Sequence, residues 1–323
     1  MTALDDPPSI LVLNQKPHGL PVEDLVAALR ERYDPDRVSL VETPVEAREE
    51  ISDATVVVGD SISTELLDRA ESLELFACSY AGTDHLPLDK LADSGVTVTN
   101  AGGVHASNVA EQAIGSLLAF TRGLFRARRQ QRNREWRSFQ AGELAGGTVT
   151  VVGLGAIGTA IAERLQPFDV TLRGVRHSPE KDGLVDSVFG YGEISAALAN
   201  ADAVVLACPL TETTAGLLGR PEFEALHPEA IVVNVARGGV IETDALVSAL
   251  RSHHVGGAAL DVTDPEPLPP DHALWTFENV LITPHNAGYT PEYYDRLAEI
   301  VTENVERAVE TGSWTGLRNQ IEP

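Results

Sequence analysis

Three polar residues stand where apolar runs end in the second half of the chain. In Asn234-Val235-Ala236-Arg237-Gly238-Gly239 an arginine follows the run 231–235. Asp264-Pro265-Glu266-Pro267 holds a carboxylate in a proline-braced loop. Thr283-Pro284-His285-Asn286-Ala287-Gly288 sets a histidine just after the run 280–283. Singly, each has a plain explanation: a salt bridge, a solvated acid, a packed imidazole. Together they suggest acid–base chemistry on an anionic substrate. A guanidinium can fork a carboxylate, an imidazole can move a proton near neutral pH, and an acid beside it can orient it.

Such groups need a frame. Residues 1–100 alternate short apolar runs, at 10–13, 55–59, 75–78 and 96–99, with amphipathic stretches. Val22, Leu25, Val26 and Leu29 mark one face of a helix over 22–32. A second alternation begins at Gly147, with strands expected at 148–152, 170–175, 203–207, 231–235, 258–261 and 280–283. Helices are expected between them, at 156–165 and 243–251 for example. This pattern predicts an α/β fold with parallel sheets, six strands in the second, and ligands at the carboxyl ends of the strands. One long helical stretch is expected from 106 to about 130, with Val109, Ala113, Leu117 and Phe120 on its buried side. A last helix over 291–309 turns Leu297, Ile300, Val301 and Val305 inward.

Val151-Val152-Gly153-Leu154-Gly155-Ala156-Ile157-Gly158 contains GxGxxG between an expected strand and an expected helix, the context that gives this motif meaning. Gly153 allows the tight turn, Gly155 admits a pyrophosphate to the backbone, and Gly158 lets helix and sheet approach. Ala156 and Ile157 offer backbone at the positive helix start. An acid that accepts from the ribose 2′-hydroxyl is the usual residue after the second strand. Here Arg176, His177 and Ser178 stand there. A guanidinium binds a 2′-phosphate that a carboxylate repels, so NADP(H) is expected to be preferred, with NAD(H) possible. Arg176 is the main determinant and Ser178 a further donor.

Composition narrows the class. The 323 residues suggest about two domains. With 43% hydrophobic and 22% charged residues, disorder and fibrous structure are excluded. No basic-then-apolar leader opens the chain and no apolar run is long enough to cross a bilayer. Cys78 and Cys208 form no CxxC, so neither a zinc site nor a disulfide scaffold is expected. A reduced, cytoplasmic setting follows. Asp and Glu number 48 against 24 Lys and Arg, and lysine is confined to Lys16, Lys90 and Lys181. Such an acidic, lysine-poor chain resembles proteins of salt-loving organisms. The net charge of −24 disfavours nucleic acid and anionic membranes as partners. The basic cluster Arg122, Arg126, Arg128, Arg129, Arg132, Arg134 and Arg137 is expected to be a helix face paired with acidic groups, or a subunit contact.

The motifs VVGLGAIG, NVARGG, ALDVTDPEPLP and LITPHNAG, in this order, resemble those of the D-isomer-specific 2-hydroxyacid dehydrogenase family over nearly the whole chain. The resemblance implies a Rossmann-type cofactor domain, 103–288, inserted into a discontinuous flavodoxin-like substrate domain, 1–102 plus 289–323. It implies reversible reduction of 2-oxo acids to D-2-hydroxy acids. Arg237 clamps the substrate carboxylate and carbonyl, and His285 is the acid/base. Glu266 holds His285 by a hydrogen bond and favours imidazolium. Backbone N–H groups at Ala81 and Gly82 take the carboxylate, Asn108 contacts substrate or cofactor, and Tyr80 and Tyr289 are candidate pocket walls. Asp261 orients the nicotinamide carboxamide. Val235, Ala236, Ala287 and Gly288 flank the cofactor, and Cys208, Pro209 and Thr214 line its adenosine side. A homodimer joined through about 104–146 and no metal are implied.

Aliphatic 2-oxo acids are the expected substrate class, and two alternatives stay open. One is a glyoxylate/hydroxypyruvate reductase, separated from a reductase of aliphatic 2-oxo acids only by the side-chain pocket. The other is a cofactor-sensing scaffold like the family's corepressors, which bind peptide motifs. If the acidic surface is a salt adaptation, the unfolding temperature rises strongly between about 0.1 and about 2 M KCl as self-repulsion is screened; a flat profile by calorimetry excludes that adaptation.

Overall fold

The structure, a computed structural model, describes residues 7–179 and 184–321. The reading of the chain start as lacking a leader, over residues 1–6, and the lysine at Lys181 lie outside the described residues. The chain forms two compact units, one running to Val104 and resuming at Tyr289, the other His105–Gly288.

In the first unit, β1 (Ile10–Leu13), β2 (Val38–Val41), β3 (Val56–Gly59), β4 (Leu75–Cys78) and β5 (Thr97–Thr99) form one sheet. All pairs are parallel and the order is β2-β1-β3-β4-β5, the flavodoxin-like arrangement. Successive strand residues alternate between two covered faces, so the strands read as unbroken apolar runs. Ile10, Val12, Val56, Val58, Leu75 and Ala77 pack with α1 (Val22–Arg32) and the chain's last helix, Tyr293–Thr311. Leu11, Leu13, Val57, Phe76 and Cys78 pack on the other face with Ala47 of α2 (Pro44–Glu50), Leu67 of α3 (Thr64–Leu67) and Leu91 of α4 (Leu88–Asp93). The sequence reading names no strand at β2. That strand lies at the sheet edge with Ser39 and Leu40 only half-buried, so it leaves no apolar run.

The second unit opens with α5 (Ala106–Thr121) and α6 (Leu124–Arg132). It continues with β6 (Thr148–Val152), α7 (Ala156–Leu165), β7 (Thr171–Val175), β8 (Ser187–Phe189), α8 (Ile194–Leu198) and β9 (Ala203–Leu206). It closes with α9 (Arg220–Ala225), β10 (Ile231–Asn234), α10 (Thr243–Arg251), β11 (Gly257–Leu260) and β12 (Val280–Ile282). The parallel sheet has the order β12-β11-β10-β9-β6-β7-β8. Counted within the unit this is the doubly wound Rossmann order, with the reversal between β6 and β9 where a dinucleotide lies. Seven strands replace the expected six. The additional one, β8, is a three-residue edge strand whose side chains are all half-buried. One face of the sheet packs on α5 and α7 and the other on α8, α9 and α10.

The helix expected over 106–130 is two. Gly123 adopts φ +63°, and a Cβ there would lie 2.8 Å from the Phe139 ring. The chain turns at that glycine and restarts as α6, which buries none of its residues. Val109, Ala113 and Leu117 are buried as expected, whereas Phe120 is only half-buried. Acidic pairing of the arginine cluster is seen among the described residues only at Arg129, with Glu278. Arg126 instead lies 4.6 Å above the Phe139 ring, and Arg122 donates to the Gly142 carbonyl at 2.8 Å. Among the described residues no helix is long and apolar enough to cross a membrane.

Candidate active site

In the second unit the carboxyl ends of the strands carry the polar groups. After β6 the chain turns at Gly153, with φ +93°, so closely that a Cβ would lie 2.7 Å from the Cys208 backbone. A Cβ on Gly158 would lie 1.8 Å from the Gly153 carbonyl oxygen, so only glycine lets α7 start here. At Gly155 a Cβ would meet nothing within 4 Å. The first-turn N–H groups of α7, at Ala156 and Ile157, have no acceptor within the helix, and with the open space at Gly155 they form a cradle that fits a pyrophosphate. Beyond β7, Arg176 is half-buried and tied by its backbone N–H to the Phe189 carbonyl at 3.0 Å. His177 and Ser178 are exposed.

Across the reversal point Cys208 is buried and Pro209 exposed. Burial pushes the Cys208 thiol up to about 11, so it stays neutral at physiological pH. The Thr214 hydroxyl is turned into its own loop. It donates to the Pro209 carbonyl at 2.5 Å and accepts from the Thr211 N–H at 2.8 Å.

After β10, Val235 and Ala236 are buried and Arg237 is exposed. Asn234, which the sequence reading leaves without a role, staples this bend. Its side chain accepts from the Ala236 N–H and donates to the Arg237 carbonyl, both at 3.0 Å. A Cβ on Gly238 would lie 2.0 Å from the Thr263 carbonyl oxygen. That close approach brings the Arg237 bend against the loop that carries Glu266. His285 Nδ1 lies 2.6 Å from Glu266 Oε1. The carboxylate accepts from Nδ1–H, which fixes the tautomer and leaves Nε2 as the outward nitrogen.

Asp261 is 6% exposed, at the end of β11. Its carboxylate accepts from Thr283 Oγ1 at 2.5 Å, from the Asn286 N–H at 3.1 Å and from the Ala287 N–H at 3.0 Å. Asn108 Nδ2 donates to the Ala287 carbonyl at 2.5 Å, and Gln112 Nε2 reaches Thr283 Oγ1 at 3.4 Å. Gly288 lies against the His105 ring, which a Cβ would approach to 3.4 Å. Thr283 and Gln112 were missed in the sequence. A threonine two residues before the histidine was the one signal for the first, and nothing in the spacing marks the second. Among the described residues no group of three or more His, Cys, Asp or Glu side chains is placed to hold a metal.

In the first unit, the loop after β4 carries Tyr80, Ala81 and Gly82. Asn100 Nδ2 donates to the Ala81 carbonyl at 2.6 Å. Because the peptide is planar and trans, the Gly82 N–H then points the opposite way. The buried Tyr293 hydroxyl donates to the Ser79 carbonyl, and burial with the nearby Asp60 charge raises its pKa well above the usual phenol range. Beside Gly82 lies a cavity of about 390 Å³ lined by Asp60, Ser61, Tyr80, Gly82, Asp84 and His85.

Residues 114–287 match the family model of the D-isomer specific 2-hydroxyacid dehydrogenase, NAD binding domain. A glyoxylate reductase of Thermofilum pendens is 36% identical over 255 residues, covering 76% of this chain and 75% of that protein. A glyoxylate reductase/hydroxypyruvate reductase of Mus musculus is 34% identical over 255 residues, covering 77% of this chain and 78% of that protein. The crystal structure of a D-isomer specific 2-hydroxyacid dehydrogenase from Xanthobacter autotrophicus, in complex with NADPH and MES, superposes with TM-score 0.78 at 27% identity, covering 98% of this chain and 99% of that one. The chain belongs to the D-isomer specific 2-hydroxyacid dehydrogenase family. It is an oxidoreductase acting on CH–OH donors with NAD(P) as acceptor.

The Gly158→Ala variant tests the cradle. Forcing a methyl against the Gly153 carbonyl costs about 1–3 kcal/mol of stability and displaces the start of α7. A lowered Tm together with loss of NAD(P)H fluorescence enhancement is the expected result.

Proposed function

We propose that the protein is a reversible 2-oxo acid reductase forming D-2-hydroxy acids, with NADPH preferred over NADH. The observation that carries this reading is the 2.6 Å contact between His285 Nδ1 and Glu266 Oε1, at strand ends beside the Arg237 bend. The nicotinamide, when bound, supplies or accepts the hydride. His285 Nε2–H gives its proton to the carbonyl oxygen as the carbonyl carbon is reduced, and takes it back in the reverse direction. Glu266 keeps Nδ1 protonated and the ring oriented. Arg237, whose backbone is held by Asn234, forks the substrate carboxylate and carbonyl and stabilises the charge that grows on oxygen.

The cradle at Gly153, Gly155 and Gly158 holds the pyrophosphate, and Arg176 with Ser178 takes the 2′-phosphate. His177 flanks that subsite. Cys208, Pro209 and Thr214 shape the adenosine wall, and Val235, Ala236, Ala287 and Gly288 border the nicotinamide end. The NADPH complex of the Xanthobacter relative supports NADPH as a cofactor of this group of proteins. A homodimer through about 104–146 is part of the same reading, supported by Trp136 at 104% and Leu124 at 53% exposure.

Among 2-oxo acids, glyoxylate and hydroxypyruvate are the proposed substrates. The names of the Thermofilum and mouse relatives support the same substrates.

Initial rates of NADPH and NADH oxidation, measured in high KCl against glyoxylate, hydroxypyruvate and branched 2-oxo acids, test this. Turnover with NADPH is expected, and none with any 2-oxo acid would refute the reading. His285→Ala lowers turnover by about a hundredfold or more if the imidazole is the proton donor. Arg176→Asp shifts the kcat/KM ratio toward NADH, because its carboxylate repels the 2′-phosphate and accepts from a ribose hydroxyl. An unchanged ratio removes Arg176 as the selector.

A further inference from the structure

His285 sits in a backbone conformation that a side-chain-bearing residue rarely adopts, with φ +52°. The left-handed region costs an L-residue about 1–2 kcal/mol and persists only where the surroundings impose it. The surroundings here are one buried carboxylate. Asp261 draws in the N–H groups of Asn286 and Ala287, the two residues that follow the histidine, at 3.1 and 3.0 Å. Its Oδ1 also accepts from the Thr283 hydroxyl, two residues before the histidine, at 2.5 Å. The His285 N–H itself donates to the Asp261 carbonyl at 2.8 Å. Every residue from 283 to 287 except Pro284, which has no N–H to give, is therefore tied to Asp261.

From this geometry we infer that Asp261 and Thr283 are positioning residues for proton transfer at His285. The inference rests on the acid/base reading of that histidine. Glu266 fixes the ring at Nδ1, and Asp261 fixes the backbone from which the ring projects. A ring held at only one of these points swings. Thr283 shares Oδ1 with the Asn286 amide while the Ala287 amide takes Oδ2, and Gln112 of α5 reaches the Thr283 hydroxyl at 3.4 Å. This role acts through the histidine. It is separate from any contact of Asp261 with the nicotinamide carboxamide, which would show as cofactor affinity.

Two variants separate these roles. Thr283→Val keeps the β-branch and removes the hydroxyl. Asp261→Asn sets an amide N–H₂ against a backbone N–H. A misplacement of the acid by about 1 Å costs about a hundredfold, so kcat falls about tenfold in the first variant and about a hundredfold in the second. The pH profile of kcat loses its steep histidine limb in both, while the Kd for NADPH by fluorescence stays within about twofold in Thr283→Val. Thr283→Ser restores kcat. Histidine NMR on the free protein gives a readout independent of turnover. The His285 Cε1–H resonance, assigned with His285→Asn, broadens and loses its fixed tautomer in Thr283→Val and Asp261→Asn. An unmoved resonance with unchanged titration overturns the inference, whatever the wild-type enzyme reduces. So does a loss confined to NADPH affinity, with kcat and its pH profile intact.

Discussion

A buried carboxylate between two strand ends organises this site. Asp261 has left water at the end of β11, and an ionised group there persists only if its lone pairs are filled. The donors that fill them come from the next strand's exit loop, 283–287. Because β11 and β12 are adjacent and parallel, both chains leave the sheet at the same end. The electrostatic need of one residue thus becomes the conformation of the loop that carries the histidine. The left-handed backbone at His285 follows from it. So does the exit direction of the ring toward Glu266.

The rest of the second unit repeats this logic with different groups. Asn234 satisfies the amide and carbonyl of the bend at Arg237, so the guanidinium leaves a backbone that is already paired. Gly238 removes a methyl that would collide with the Thr263 carbonyl, which lets the arginine bend and the glutamate loop close on each other. Gly153 and Gly158 do the same for the turn into α7. At these strand ends the backbone is held by buried polar groups or by a missing Cβ, and the Arg237 and His285 side chains proposed to act stay in solvent. Rigid support with an exposed working group is what proton transfer and anion binding require.

Charge in this chain is divided by scale. The whole molecule carries −24, yet the groups that would meet an anionic substrate and cofactor are cationic or donor-rich: Arg237, Arg176, His285 and the α7 amides. A field that repels anions at long range is overcome locally because it is screened within about 10 Å at moderate salt, whereas a bidentate contact acts at hydrogen-bond distance. The basic helix α6 does not serve that purpose. Three of its arginines, Arg126, Arg128 and Arg129, are engaged by the Phe139 ring, Gln131 and Glu278.

Much of this was legible in the residues alone. The bounds of α1, α7, α10, β1, β4 and β6 coincide with the expected segments, because a covered face imposes a period that the sequence must carry. Arg237 and His285 could be picked out because each follows an apolar run, and Glu266 because prolines brace it. The edge strands β2 and β8 were not legible, since an edge needs only one partner and little burial. The helix break at Gly123 depends on Phe139, a neighbour that spacing does not reveal. The sequence by itself determined which residues could bind phosphate, fork a carboxylate or carry a proton, for those are properties of side chains. Only the tertiary structure decided how they are held. The bonds from Asp261 to Thr283, Asn286 and Ala287, and from Asn108 to Ala287, join positions that periodicity does not link and that come together only when the sheet forms.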